Sequence, residues 1–264
     1  MAGNKFERIE KKFWMTEKQF NAIMPVILEH MTVDEYGLSK ICNIYCDSDD
    51  YALIRRSIEA PPFKEKLRIR SYGEFEADKK VYVEIKRKVN GIGYKRRIHV
   101  PFRKALELLE GNEIMADNQQ IEGELHEFVR RYRPKPKVYL SYERFAMYGK
   151  EDPELRMTVD QKIRYAMYSE DMDFFKEGTP IIKDESMALL EIKSSGAVPL
   201  WLTEQLSRLA IYQASFSKIG TCFTNFIAPQ LKFLQANASG KRITTGEKNG
   251  LPSLRQAVFG QNRV

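Results

Sequence analysis

Five segments of this chain alternate charged with apolar residues at a period of two, and that pattern restricts the fold more than any other feature. Lys66, Arg68 and Arg70 share one face of KEKLRIR (64–70). Glu84, Lys86 and Lys88 share one face of VYVEIKRK (81–88), and Lys95, Arg97 and His99 one face of YKRRIHV (94–100). Arg156, Thr158 and Asp160 repeat the pattern in LRMTVD (155–160), and Glu191 and Lys193 in LLEIK (189–193). A β-strand sends alternate side chains to opposite faces. Leu67, Ile69, Val83, Ile85, Ile98, Val100, Leu190 and Ile192 then pack on one side, and a wall of mostly cationic residues forms the other. Such a sheet is either open, with its charged face in bulk water, or closed into a barrel with a wet cationic interior. Crowded cations repel, so five such strands favour a face built for a highly charged anion.

Composition narrows the classes further. The 264 residues suffice for one large domain or two small ones, and 43% hydrophobic content supports a sizeable core. The chain carries 43 Lys and Arg against 36 Asp and Glu, a net charge of +7, so the basic bias is local rather than global. Cys42, Cys46 and Cys222 make an odd set without metal-ligand spacing. That argues against a disulfide framework and for a reducing, cytoplasmic setting, with Cys42 and Cys46 as core fillers. The N-terminal residues lack an apolar signal region, and no run approaches the ~20 apolar residues of a membrane span. No P-loop or GxGxxG is present; Gly91-Ile92-Gly93 reads as a hairpin turn. No Ser-His-Asp or Cys-His arrangement stands out, which leaves phosphoryl transfer open, because that chemistry relies on positioning and charge neutralisation. The aromatic residues read mostly as core, so nucleic acid is not an expected partner.

Along the chain, residues 5–14 predict a strand, and Thr16 with Gln19 predicts a capping box for a helix reaching His30. Strands follow at 38–47, 64–72, 81–89 and 94–100, with a turn or short helix at 49–56 and a hairpin at Asn90-Gly91. Pro101 opens a helix to Leu109 that Gly111 ends, and a second helix runs over 122–132. A hairpin of 137–147 and 155–165 and a strand at 187–193 come next. Thr203 begins a predicted long helix through Ser217. Residues 1–236 read as one domain, and 237–264 as a polar, flexible tail.

These segments also resemble a known family. RIEKKF (8–13), NIYCDS (43–48), KEKLRIRSYG (64–73), VEIKRK (83–88), YKRR (94–97), SYER (141–144), RMTVD (156–160), LLEIK (189–193) and FSK (216–218) occur in the order found in VTC domains, the polyphosphate polymerase domains of the vacuolar transporter chaperone within the triphosphate tunnel (CYTH-like) superfamily. The resemblance spans about residues 5–235. It implies an α+β fold with an eight-stranded antiparallel barrel forming a tunnel, helices outside it, a divalent Mn2+ or Mg2+ ion, and ATP, polyphosphate, pyrophosphate or triphosphate as ligands. The wider superfamily carries Glu-x-Glu-x-Lys on its first strand; Arg8, Glu10 and Lys12 stand here, a change that tilts the resemblance from hydrolysis towards polymerisation. No helical domain precedes the barrel in this sequence, so a stand-alone catalytic domain is expected.

The residue roles follow from side-chain chemistry and the resemblance together. Arg68, Arg70, Lys86 and Arg144, with Lys12 from the first strand and Lys218 at the tunnel end, are the expected catalytic clamp, guanidinium forks gripping phosphate oxygens bidentately and lysines acting as point charges. Lys66, Lys88, Lys95, Arg97, Tyr142, Arg156 and Lys193 extend the phosphate-binding surface. Glu191 resembles the metal-binding carboxylate, with Glu10 and Glu84 assisting the metal or ordering the clamp. The expected reaction transfers the γ-phosphate of ATP to a growing polyphosphate chain. A metal-dependent tripolyphosphatase and a non-catalytic polyphosphate-binding module are the alternatives.

Overall fold

A computed structural model describes residues 9–238, apart from 115, 117 and 177. The described residues up to Phe223 form one compact unit and those from Thr224 a second. In the first unit the strands are β1 (Ile9–Met15), β2 (Met31–Asp47), β3 (Phe63–Tyr72), β4 (Lys80–Val89), β5 (Ile92–Pro101), β6 (Lys135–Gly149), β7 (Arg156–Met167), β8 (Thr179–Pro180) and β9 (Ala188–Ser194). The helices are α1 (Glu17–His30), α2 (Ala52–Ile58), α3 (Phe102–Leu109), α4 (Gln119–Tyr132), α5 (Leu200–Arg208) and α6 (Lys218–Cys222). The second unit holds α7 (Ala228–Ala238). The predicted tail from residue 239 on, and Arg8 of the first motif, lie outside the described residues. No described helix is long and apolar enough to cross a membrane.

Local chemistry accounts for several boundaries. Thr16 and Gln19 form the predicted reciprocal capping box at the start of α1. Asn90 and Gly91 both take positive φ, 47° and 88°, and join β4 to β5 by the two-residue turn that matches strand twist. Pro101 caps α3, and Gly111 at φ 90° ends its C-terminal loop.

All strand pairs are antiparallel, in the order β1-β9-β7-β6-β2-β3-β4-β5, with the short β8 added beside β7. This corrects the expected closed eight-stranded barrel: the described residues form nine strands, and β1 and β5 do not hydrogen-bond to each other. The sheet nevertheless curls strongly. β1 and β4 are six strand spacings apart, roughly 29 Å in a flat sheet. Yet Lys86 Nζ on β4 lies 4.0 Å from Glu10 Oε2 on β1. The charged faces of distant strands therefore share one concave side.

The convex side carries the apolar alternates and two cores. Leu67, Ile69, Val83, Ile85, Ile98 and Val100 pack with Phe102, Ala105 and Leu108 of α3 and Leu125, Phe128 and Val129 of α4. Cys42 and Cys46 lie in the same core, as expected of them. Met157, Val159, Leu190 and Ile192 pack with Ile23 and Ile27 of α1 and Leu202 and Leu206 of α5.

The predicted helix from Thr203 to Ser217 is instead broken. Helix α5 starts after Pro199 and stops at Arg208, and Ala210 adopts φ 49°. The chain then runs along the open edge of β1, where the Ala214 N–H donates to the Lys12 carbonyl at 2.8 Å and Gln213 bridges Phe13. An unpaired strand edge offers backbone partners that override helical periodicity here. Ile69 lies at the centre of the β3 alternation and is fully buried. Ile69→Ala is expected to cost about 2–5 kcal/mol in urea unfolding through the cavity it leaves. A cost below about 1 kcal/mol would show that the convex core does not sustain this strand.

Candidate phosphate-binding face

Strand register gathers nearly all of the predicted site residues on the concave side. Lys66, Arg68 and Arg70 on β3 stand opposite Lys86, Glu84 and Tyr82 on β4. Lys95, Arg97 and His99 on β5 oppose the same three β4 residues. On the other half of the sheet, Glu10 and Lys12 on β1 oppose Lys193 and Glu191 on β9, which oppose Arg156 and Thr158 on β7. Arg144 on β6 opposes Asp160 on β7.

Carboxylates and neutral polar groups fix the cations. Glu84, 1% exposed, accepts from Arg68 Nε at 2.6 Å and from Lys95 Nζ at 3.2 Å. Asp160, fully buried, takes Arg144 through Nε at 2.7 Å and Nη2 at 2.8 Å, and Lys218 Nζ at 2.5 Å. Arg70 donates through Nε to Asn43 Oδ1 at 3.0 Å and through Nη2 to Tyr142 Oη at 3.1 Å. A guanidinium has five N–H donors, so these contacts orient each fork without exhausting it. The Tyr142 ring also underlies Lys218 Nζ at 4.7 Å and the Arg144 guanidinium at 5.1 Å. Tyr142 is thus buried beneath the clamp and braces three of its cations.

Lys218, expected at the tunnel end, is the first residue of α6 and reaches Asp160 from there. Its neighbour Ser217 lies 3.4 Å from Lys66 Nζ. Glu191 holds Lys193 at 2.5 Å and Lys12 at 3.6 Å, and Lys12 also pairs with Glu10. Other predicted residues stand apart from this centre. Lys88 is exposed beside the β4–β5 turn. Arg97 lies over the Tyr82 ring, and Arg156, exposed, over the Tyr148 ring.

Electrostatics follow from this crowding. Burial opposes ionisation of Glu84, yet the charges of Arg68, Arg70 and Lys95 hold its pKa at about 2. Burial likewise opposes charge on Glu191, and Lys193 and Lys12 outweigh it, holding the carboxyl well below the ordinary range. Burial, with Lys86, Lys64 and Arg68 nearby, pushes Lys66 down to about 8 despite the opposing effect of Tyr45. The Lys86 side chain is exposed, yet partial desolvation by the surrounding face lowers its pKa, and Arg68 and Lys193 add to that against Glu10.

Among the described residues no three His, Cys, Asp or Glu side chains are grouped to hold a metal alone. Glu84 is engaged on both oxygens by Arg68 and Lys95, whereas Glu10 and Glu191 both pair with Lys12. That pair fits a hard divalent cation that takes most of its ligands from phosphate oxygens and water. Thr158, in register with Glu191, adds a second indication, because its Oγ1 is buried without a hydrogen-bond partner.

Sequence reasoning did not name Asn43 or Asp160 as site residues. Asp160 was visible in the RMTVD alternation. Asn43 opens the NIYCDS segment of the resemblance, but only its register with Arg70 gives it a role.

Glu84 has a folded pKa below its ordinary 4.5, so the stability it adds is present above pH 4.5 and lost as pH falls towards 2. Glu84→Gln is expected to cost about 3 kcal/mol at neutral pH by leaving two cations unneutralised. The gap from wild type should close near pH 2 in acid-unfolding experiments; a pH-independent gap would refute this account.

Comparison with known proteins bears on the fold and the family. A Bacillus halodurans protein provisionally assigned as an adenylate cyclase shares the fold, with 15% identity over 83% of this chain and 97% of its own and a TM-score of 0.50. A Vibrio parahaemolyticus protein with the same provisional assignment matches with 12% identity over 80% of this chain and 94% of its own, at a TM-score of 0.44. No curated protein matches the sequence. The VTC domain model matches residues 7–226, and the chain therefore belongs to the VTC domain family.

Proposed function

We propose that this protein is a polyphosphate polymerase that transfers the γ-phosphate of ATP to a growing polyphosphate chain. The observation that carries the reading is the continuous cationic face: Lys12, Lys193, Arg144, Arg70, Arg68, Lys66 and Lys86 come from five strands and converge on one concave surface. Membership of the VTC domain family supports it. Lys66 and Arg70 alone are separated by about 13 Å of strand, a span suited to several linked phosphates.

The acceptor oxygen at the end of a polyphosphate is already ionised, so no strong general base is required. It attacks the γ-phosphorus in line, the bond to the β–γ bridging oxygen breaks, and ADP departs with that electron pair. Arg68, Arg70, Arg144 and Lys86 bind and orient the phosphates and neutralise charge on the equatorial and leaving oxygens. Glu191 and Glu10 would hold Mn2+ or Mg2+, which supplies charge neutralisation at the β- and γ-phosphate oxygens. Lys218 and Lys66 bind at the α6 end of the face.

Incubation with ATP and Mn2+ or Mg2+, with products resolved on a gel, tests the reading. ADP together with long polyphosphate is the expected result. Orthophosphate without chains would identify water as the acceptor and make the protein a tripolyphosphatase. Tight binding without turnover would make it a binding module. Lys86 is exposed, so Lys86→Glu should leave the fold intact by circular dichroism and weaken tripolyphosphate binding at least tenfold; wild-type affinity would remove Lys86 from the clamp.

Lys66 sets a pH dependence. It is charged below its pKa of about 8 and loses its proton above it. Tripolyphosphate affinity should therefore weaken as pH rises through 8, and Lys66→Gln should flatten that fall in calorimetric titrations at several pH values. An unchanged profile in the variant would assign the titration to another group.

A further inference from the structure

At one end of the concave face the cations give way to exposed aromatic rings that phosphate binding does not require. Tyr72 follows Arg70 on the same face of β3, two residues or about 7 Å further along the strand. Its ring meets the Tyr82 ring edge-on at 6.1 Å and the Tyr36 ring at 6.4 Å, tilted by 30°. Tyr82 is itself held in place: the His99 ring stacks on it at 4.4 Å and the Arg97 guanidinium lies 4.5 Å from its centroid. Tyr36 sits in the irregular stretch of β2 between Val33 and Leu38, where its N–H donates to Asp34 Oδ1 at 3.1 Å and Gly37 takes φ 55°. Tyr72 is 46% and Tyr36 66% exposed. Two large rings facing water beside a row of arginines combine the two parts that a nucleotide needs, a π-surface for the base and cations for the phosphates.

We propose that Tyr72 and Tyr36 form a stacking ledge for the base of a nucleoside triphosphate whose phosphates enter the cationic face at Arg70. This rests on the phosphate-binding reading above and adds to it where the nucleoside lies. Tyr82, braced by His99 and Arg97, fixes the orientation of Tyr72. Arg97 then serves the ledge rather than the central clamp. A stacking ledge tolerates any base, because every base presents a π-face.

Calorimetric titration of the full chain with ATP and with inorganic tripolyphosphate, in the same metal-containing buffer, separates the two readings. Tyr72→Ala is expected to weaken ATP binding roughly 5- to 50-fold, the loss of one base stack. Tripolyphosphate binding should be unchanged, and Tyr72→Phe should restore ATP affinity. Tyr36→Ala should act in the same direction. If tripolyphosphate binds normally and neither alanine variant alters ATP affinity, the ledge is refuted while the phosphate face stands. If wild-type protein binds neither ligand, both are overturned.

Discussion

The structure depends on neutralising a crowd of cations that its own alternation forces together. Glu84, Asp160 and Glu191 are nearly or fully buried, and each accepts from two or more basic side chains. Removing cations from water is costly, and their mutual repulsion adds to that cost. The three carboxylates offset both and also hold the guanidinium forks in fixed orientations. The same arrangement leaves net positive charge on the face, which the proposed polyphosphate ligand would satisfy. Stability and ligand affinity thus draw on the same charges.

The curl of the sheet turns this crowding into a site. The pairs Lys86–Glu10 and Lys218–Asp160 connect elements that strand order alone keeps apart. The segment after α5 contributes to this geometry. By leaving the helix at Leu209 and running beside β1, it covers part of an open edge and delivers Ser217 and Lys218 to the concave side. An uninterrupted helix would have carried Lys218 elsewhere.

The two faces of the sheet divide their roles. Leu67 and Ile69 of β3 and Val81, Val83 and Ile85 of β4 enter the convex core, Phe63 and Val89 at the paired strand ends stay exposed, and the one charged residue of each strand on that side is paired. Glu65 accepts from Arg87 at 2.6 Å and from the Tyr132 hydroxyl at 2.7 Å, tying α4 to the sheet. The concave side carries no comparable packing demand, so its residues are at liberty to serve a ligand.

Much of this was legible in the sequence, because a period of two assigns each residue to a face without knowledge of the fold. That is why Lys66, Arg68, Arg70, Glu84, Lys86, Glu191 and Lys193 emerge together, whereas Arg144 enters only through the SYER resemblance; the capping box and the Asn90-Gly91 turn carry their own local signatures. Periodicity is local, however, and could not decide closure: β1 and β5 do not hydrogen-bond to each other. Nor could it foresee the break after α5, where a tertiary strand edge outcompeted helical spacing. Asn43, a polar residue on a buried strand, and Tyr72, an aromatic at a strand end, look ordinary in isolation. The sequence by itself determined which side chains share a face; the tertiary structure decided which faces meet, because twist and curl act between strands that are far apart in the chain.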